Sequence, residues 1–258
     1  MKQMFGIDIS KWQGDFNLEK AVKEEGVEFV IIKAGGGDKG LYTDKQWVAN
    51  YKKAKLLGIP VGAYWYSKAT SVDAAITEAR YFYQLIQDKQ LDLPVYMDVE
   101  EKCMFALGSD KCSEVVAAFC KYIEDKGWYT GIYSSVSYFK THLNKPNVNH
   151  FTHWVAGWRS ARPEGSALWQ FGGETNVIRS NKICGQTVDQ DYLYTDFMSA
   201  IRKLKLNGYG RKPESIVADE VIDGLWGVKT DRVSRLTAAG YNYETVQALV
   251  NQKMKERK

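Results

Sequence analysis

The chain has 258 residues, of which 45% are hydrophobic and 26% are charged, as in an ordinary globular protein. Its formal net charge of +4 arises in residues 203–258, which hold 11 Lys and Arg against 7 Asp and Glu. So small an excess argues against nucleic acid as a partner, although it could assist approach to an anionic surface or simply mark a solvated helical face. No segment approaches the roughly 20 apolar residues of a membrane span, so we expect no membrane insertion.

The residues before the first predicted strand, Met1-Lys2-Gln3-Met4, lack the apolar stretch that a signal peptide needs. We therefore expect synthesis in the cytoplasm without a signal peptide. The four cysteines form no Cys-x-x-Cys motif and there are only three His, so we expect no metal site and no cofactor. Four free thiols and a Cys103–Cys112 bridge both agree with the spacing.

Strand and helix patterns alternate along the first 200 residues. The predicted strands are 5–10, 29–34, 59–66, 94–100, 129–133, 153–158 and 167–171, and the predicted helices are 17–25, 44–57, 72–87 and 113–126. Repeated strand–helix units are typical of a parallel α/β fold. Because the helical signal weakens after residue 133, we predict an irregular TIM-like β/α barrel with incomplete helices.

The last quarter of the sequence has a different pattern. A helix is predicted at 194–204, and three short helices are predicted at 216–224, 230–239 and 243–255. Between them lies a segment rich in Gly, Pro and polar residues, which is typical of a linker. We therefore predict a barrel at 1–204, a linker at 205–214 and a small three-helix module at 215–258, near the lower size limit for independent folding.

The strongest chemical signal lies in the strand Pro94–Glu100. Alternation along a strand places Tyr96, Asp98 and Glu100 on one face and three apolar residues on the other. Because the helix-covered side of a barrel is apolar, the acidic face must point into the lumen. Carboxylates there are costly to desolvate unless they lie at the open rim, where the carboxyl ends of the strands form active sites.

Two further acids are predicted to reach the same rim. Asp8 alternates with apolar residues in the first strand, and Asp189 follows the last strand-like segment. Converging acids suit glycosidic bond cleavage, which needs a proton donor for the leaving oxygen and negative charge near an oxocarbenium-like centre. Crowding should also raise the pKa of at least one of them. As alternatives, strand-end Asp residues cap helices or pair with basic groups, whereas metal binding is disfavoured because no His accompanies the cluster.

These motifs together resemble a known family. Gly6–Ser10 with Trp12-Gln13-Gly14, then Gly62–Tyr66, Pro94–Glu100, Leu168–Phe171 and Val188-Asp189, resemble in content and order the family 25 glycoside hydrolases, the Chalaropsis-type lysozymes common in phage endolysins. The resemblance implies an incomplete β/α barrel and a muramidase, which hydrolyses the β-1,4 bond between N-acetylmuramic acid and N-acetylglucosamine in bacterial peptidoglycan. It further implies a phage endolysin for host lysis, which reaches the wall through holin-type membrane holes.

The resemblance also implies roles for individual residues. Glu100 matches the general acid, Asp98 the acid that orients the substrate's acetamido group, and Asp8 and Asp189 the remaining acids of the cleft. The residues that would line the sugar site are Tyr64, Tyr66, Trp169 and Gln170. The sequence departs from the family at Trp65, where His is usual, and at Asp191, where Asn is usual. The first departure puts a cleft-wall contact in doubt, and the second adds a carboxyl group.

Two mechanisms and two other functions agree with the same residues. The acetamido carbonyl could attack the anomeric carbon with retention of configuration, or Asp98 or another acid could activate water for a single displacement. A chitinase-like enzyme would also place Asp-x-Glu on a barrel strand, and a wall-binding protein would bind without cleavage. The scarcity of His argues against an amidase or a peptidase.

The tail resembles the cell-wall-binding repeat of the choline-independent pneumococcal phage lysozyme, through Val217–Gly227, Arg235–Tyr241 and Val246-Gln247. This resemblance implies a three-helix bundle that binds peptidoglycan muropeptides. The candidate wall contacts are Trp226, Asp231, Arg232, Arg235 and Tyr241, for which core and capping roles are equally good interpretations. Only one copy is encoded where several are common, so avidity from an oligomer or from the cleft itself would strengthen binding.

Overall fold

The computed structural model describes residues 3–38, 40–210 and 212–256, and eight of its strands close into a barrel. The strands are β1 (Met4–Ile9), β2 (Phe29–Gly36), β3 (Tyr42–Thr43), β4 (Val61–Tyr66), β5 (Val95–Asp98), β6 (Thr130–Ser135), β7 (Thr152–Ala156), β8 (Leu168–Gly172), β9 (Lys182–Ile183), β10 (Gln186–Thr187) and β11 (Asp189–Leu193). Around the barrel the order is β1-β2-β4-β5-β6-β7-β8-β11, and β11 closes the ring by pairing with β1. The predicted barrel is therefore confirmed.

The barrel is parallel except at its closure. The six neighbouring pairs of the barrel from β1–β2 to β7–β8 are parallel. Strand β11 runs antiparallel to both β1 and β8. The sequence did not predict β11, because Asp189 and Asp191 replace apolar residues on its inward face and hide the usual alternation. Leu193 continues that face into the lumen.

The helices are α1 (Leu18–Glu25), α2 (Trp47–Leu57), α3 (Val72–Ile86), α4 (Lys102–Phe105), α5 (Ser109–Glu124), α6 (Val136–Thr141), α7 (Pro146–Asn149), α8 (Phe197–Lys203), α9 (Glu214–Ile222), α10 (Lys229–Ala238) and α11 (Tyr243–Glu256). Their ends follow local chemistry: the Asn17 side chain caps α1, and Gly58 ends α2 with φ of 70°. The sequence analysis missed the short helices α4, α6 and α7. Since only α6 and α7 follow β6 before β7, the expected irregularity of the barrel is confirmed.

Alternation along the strands separates two hydrophobic layers. Val95, Met97 and Val99 pack outward under the helices, as predicted. Tyr96 points inward and joins the aromatic and aliphatic residues that fill the lumen, which include Phe29, Ile31, Tyr64 and Trp154. Phe197 and Ile201 of α8 belong to the same cluster as Leu168, the first residue of β8. Helix α8 therefore covers the amino-terminal end of the parallel strands and leaves the carboxyl end open.

Helices α9 to α11 enclose a hydrophobic cluster of their own, which includes Val217, Leu236 and Val250. These helices agree with the three that the sequence predicted. The first part of the predicted linker is bound to the barrel, because buried Asn207 donates to the Leu93 carbonyl (2.8 Å) and accepts from the Tyr129 amide (2.7 Å). Residue 211 of that linker lies outside the described residues.

The structure also bears on the expected state of the cysteines and on membrane insertion. All four cysteines are free thiols, and Cys112 and Cys120 are buried, so the Cys103–Cys112 bridge is not formed. Burial raises the pKa of the Cys112 thiol to about 11. Within the described ranges, no helix is both long and apolar enough to cross a membrane.

Candidate active site

The four predicted acids meet at the open carboxyl end of the barrel. Asp8 and Asp189 lie opposite each other in the β1–β11 pair, Asp98 is the last residue of β5, and Glu100 lies two residues beyond it. All four line one cleft, which extends from Ser10–Gln13 on one side to Trp158 and Glu174 on the other. The predicted convergence of these acids on the open rim is confirmed.

Glu100 is the accessible acid of the group. Its side chain is solvent-exposed, in contrast to Asp98, which is only 4% exposed. The walls of the cleft still desolvate the Glu100 carboxyl, which raises its pKa above the ordinary value; Lys33 opposes the shift and Glu101 adds to it. A carboxyl group that is both protonated and reachable can donate a proton to a bound substrate.

Asp98 lies deeper and has an unused acceptor. Its Oδ1 atom is buried without a hydrogen-bond partner among the described residues. Burial raises the pKa of Asp98 well above its ordinary value, and the charge of Glu100 raises it further, while Lys33 lowers it. A buried oxygen without a partner is costly in the free protein, and a ligand N–H group would satisfy it.

Lys33 lines the cleft and was not predicted from the sequence. It is 7% exposed, and its Nζ atom lies 4.2 Å from the ring centroid of Tyr66 and 5.6 Å from that of Tyr64. Burial lowers the pKa of Lys33, and the nearby Asp98 carboxylate opposes this shift. The signal was present in the sequence, because Lys33 is the single charged residue of an otherwise apolar strand and alternates onto its inward face.

Gln170 connects Asp8 to the opposite wall of the cleft. Its Nε2 donates to Asp8 Oδ2 (2.9 Å), while its Oε1 accepts from the Tyr133 hydroxyl (2.9 Å) and from Trp158 Nε1 (3.3 Å). Both polar ends of the amide are thus occupied, and the amide orientation is fixed. The structure places Gln170 in the cleft, as predicted.

A fifth carboxyl lies beneath Asp8. Asp191 is fully buried, and its Oδ1 accepts from Trp154 Nε1 (2.7 Å). The second oxygen of Asp191, Oδ2, is buried without a hydrogen-bond partner among the described residues. Burial raises the pKa of Asp8 well above its ordinary value, and the nearby Asp189 and Asp191 raise it further. Burial, with Glu100 and Glu174, raises the pKa of Asp189 to about 6. The cleft therefore holds several carboxyl groups that resist ionisation.

The predicted aromatic residues divide into two groups. Tyr64 and Tyr66 line the cleft, and the Tyr66 hydroxyl donates to Glu101. The prediction that Trp169 lines the sugar site is wrong: it faces outward, packs against Phe171 and Tyr192, and donates through Nε1 to the Gly157 carbonyl (2.8 Å). Neighbouring strand residues point to opposite faces, so an inward Gln170 requires an outward Trp169.

Trp65 also faces away from the cleft. It is fully buried in the outer hydrophobic layer, and its Nε1 donates to Glu78 Oε2 (2.8 Å). The departure from His at this position therefore leaves the cleft wall unchanged.

The candidate wall contacts of the C-terminal helices are of two kinds, aromatic residues packed in the module and charged residues nearer its surface. Trp226 packs edge-on against buried Tyr241 (5.7 Å between ring centroids) and donates to Glu220, so these two aromatic residues support the fold of the module. Asp231 and Arg235 form an exposed ion pair at 3.0 Å. Arg232 is half-buried and donates through Nε to the Gly227 carbonyl (3.1 Å). Binding of the wall by these five residues stays a prediction.

Comparison with known families agrees with this architecture. The model of glycosyl hydrolases family 25 matches residues 7–178, about two thirds of the chain, and the CW_7 repeat model matches residues 216–254. The chain belongs to glycosyl hydrolase family 25. The matched region contains Asp8, Asp98 and Glu100 and ends before Asp189, which the closing strand adds to the cleft.

Three relatives illustrate the range of similar proteins. The autolytic lysozyme of Clostridium acetobutylicum is 36% identical over 164 residues, which cover 62% of this chain and 47% of that protein. The lysozyme of Streptococcus phage Cp-7 is 25% identical over 258 residues, covering 95% of this chain and 69% of that protein. The catalytic domain of endolysin ply40 from bacteriophage P40 of Listeria monocytogenes has a TM-score of 0.62 and 25% identity, covering 79% of this chain and 98% of that one. The chain spans about half to three fifths of the length of the first curated relatives it matches.

Proposed function

We propose that this protein is a muramidase that hydrolyses the β-1,4 bond between N-acetylmuramic acid and N-acetylglucosamine in bacterial peptidoglycan. The observation that supports this most directly is the set of four carboxyl groups at the open end of a family 25 barrel, with Glu100 accessible and Asp98 buried beside it. The lysozyme names of its relatives agree with the proposal. Similarity to phage lysozymes and endolysins supports a role in host lysis, with release through holin-type membrane holes.

In the proposed reaction, Glu100 donates its proton to the glycosidic oxygen. Burial in the cleft raises its pKa, which favours the protonated form, and its exposure allows contact with the leaving group. Asp98 orients the 2-acetamido group by accepting its N–H at the unpartnered Oδ1. The acetamido carbonyl oxygen then attacks the anomeric carbon. Asp8 and Asp189, with Gln170 and Tyr64, position the sugar between these two groups.

The anomeric configuration of the product distinguishes this route from a single displacement. Attack by the acetamido group followed by water retains configuration, whereas direct attack by an activated water inverts it. We expect retention, because Asp98 Oδ1 is an unpartnered acceptor that can hold the acetamido N–H and so position its carbonyl oxygen for attack. Proton NMR of the anomeric signal during the first minutes of digestion checks this, and an initial α-anomer would contradict the acetamido route.

Replacement of Glu100 by Gln tests the assignment of the acid. The variant keeps the size of the side chain and removes the proton, so we expect turnover of peptidoglycan to fall by about 10²-fold or more. Glu114→Gln, at an exposed position on α5, is the matched control and should retain wild-type activity. Near-normal activity of Glu100→Gln with unchanged thermal unfolding would overturn the role of Glu100.

We also propose a division of labour along the chain. The barrel (1–204) cleaves the glycan, and the module (215–258), which includes the CW_7 repeat match, holds the enzyme on the wall. One small module offers one weak site, so the cleft itself or association of several chains would supply the second contact that avidity requires.

A further inference from the structure

Trp12 is an exposed aromatic residue that the proposed reaction does not use. Its side chain is 78% exposed, whereas Trp47, Trp65 and Trp154 are fully buried. It lies at the rim of the cleft that contains Glu100. An exposed indole contributes little to the stability of the fold, and at this rim it can contact a ligand that fills the cleft.

The turn that holds Trp12 is rigidly fixed. Lys11–Gln13 is a single 3₁₀ turn closed by a capping box: Ser10 Oγ accepts the Trp12 amide (3.3 Å), and Gln13 Oε1 accepts the Ser10 amide (2.9 Å). The Lys11 amide donates to Asp44 Oδ2 (3.1 Å), and Asp44 is only 2% exposed. These contacts fix the backbone and leave the indole face free.

A cation accompanies the indole. The Lys11 Nζ atom lies 5.1 Å from the ring centroid of Trp12 and 5.4 Å from that of Tyr42. Among the described residues, no carboxylate lies within ion-pair distance of Lys11, whereas the neighbouring Lys68 is paired with Glu101 at 3.1 Å. Lys33, the third lysine of this wall, is buried against Tyr66. Among the described lysines that line this wall, Lys11 is therefore the one left to meet a ligand.

The two ends of the cleft differ in charge. The end with Ser10 to Gln13 holds the lysines of the cleft, beside Asp38 and Glu101, with the four predicted acids at its base. The opposite end has Trp158 and Glu174, and the described residues that line it include no Lys or Arg. A substrate with a carboxylate on one side therefore has one electrostatically favoured orientation.

We propose that Trp12 and Lys11 form a distal sugar subsite, in which the indole stacks on a pyranose ring and the ammonium pairs with a carboxylate on the side arm of N-acetylmuramic acid. This proposal rests on the muramidase function and extends it to how the enzyme holds a long strand. The carboxylate belongs to the lactyl group in a peptide-free strand and to the stem peptide in an intact one. The subsite lies at the rim, so only strands that extend beyond the cleaved bond reach it.

Affinity measured without turnover tests the subsite independently of the muramidase function. In the Glu100→Gln background, adding Trp12→Ala or Lys11→Gln should raise the Kd for peptide-free glycan strands of six or more sugars by about three- to tenfold. Binding of a tetrasaccharide should be unchanged. Lys11→Gln should also abolish the part of the affinity that weakens with salt. Leu56→Ala, an 88% exposed position away from the acids, is the matched control.

Comparison of peptide-free with peptide-bearing glycan strands identifies the source of the carboxylate. A Lys11→Gln effect on peptide-free strands assigns the lactyl group, and an effect confined to peptide-bearing strands assigns the stem peptide. Unchanged affinity of both variants for long strands of either kind, with normal folding, would overturn the subsite. Wild-type enzyme that binds long strands through Trp12 but releases no new sugar ends would instead refute the muramidase function alone.

Discussion

At the residue scale, burial decides how the carboxyl groups of the cleft behave. Asp8, Asp98 and Asp191 are each 5% exposed or less, and all three have pKa values raised mainly by loss of solvent. Glu100 shares the upward shift but remains accessible. The deep acids therefore shape the site, and the exposed one is suited to proton transfer.

The raised pKa of Asp189 predicts that the stability of the protein depends on pH. Its pKa is about 6 in the folded protein against an ordinary 3.8, so the ionised form is disfavoured by folding. Stability should fall as pH rises from about 4 to about 6, and the loss should be complete at pH 7. Asp189→Asn should therefore stabilise the barrel at pH 7 by up to about 3 kcal/mol, with no such gain at pH 3. Urea unfolding at both pH values measures this, and an equal change at both would contradict it.

Asp191 predicts a change in the titration of Asp8. In Asp191→Asn the carboxyl group is replaced by an amide that cannot ionise and can donate to Asp8, so the pKa of Asp8 should fall toward its ordinary value. Asp8 would then ionise at a lower pH than in the wild type. Carbon-13 NMR of the labelled Asp carboxyls follows the change. Asp110→Asn, at an exposed position on α5, is the control. An unchanged Asp8 midpoint would show that Asp191 does not control its protonation.

Much of this site could be predicted because strand alternation fixes which residues share a face. That rule placed Asp8, Asp98 and Glu100 in one lumen, and it would have excluded Trp169 had it been applied to β8. It could not reveal the effect of Asp191 on the pKa of Asp8, which depends on the register of two strands far apart in sequence.

At the element scale, the closing strand β11 and the position of helix α8 could not be predicted from the sequence. The seven parallel strands have apolar inward or outward faces that a sequence pattern reveals, whereas β11 begins with two inward acids. Its antiparallel direction depends on barrel closure, which no local pattern encodes. The helix at 197–203 was predicted, but its position across the amino-terminal end of the barrel follows from the packing of Phe197 and Ile201.

The module predicts an effect on binding that is separable from catalysis. Arg235 is exposed and ion-paired with Asp231, and it is the candidate wall contact least involved in the core. Arg235→Ala should lower the fraction of enzyme that sediments with peptidoglycan about threefold, without changing turnover of short soluble glycans. Arg80→Ala, an exposed charge loss on α3, is the control. Unchanged sedimentation would remove Arg235 from the wall-binding surface.

At the scale of the whole molecule, the fold assigns different tasks to different ends. Helix α8 covers one end of the barrel, the acids occupy the other, and the positive excess of the sequence lies in its last 56 residues. The fold class followed from the sequence because each strand–helix unit has its own local signal. How the segment after α8 is held against the barrel did not, since it depends on contacts such as that of Asn207 with Leu93.

The identity of the sugar end produced from peptidoglycan tests the central proposal most directly. Purified peptidoglycan is digested, the new reducing ends are reduced with borohydride, and the products are identified by mass spectrometry. Cleavage on the reducing side of N-acetylmuramic acid predicts muramitol ends from the wild type and almost none from Glu100→Gln. Glucosaminitol ends would contradict the muramidase assignment, and the absence of new ends would mean that the protein binds peptidoglycan without cleaving it.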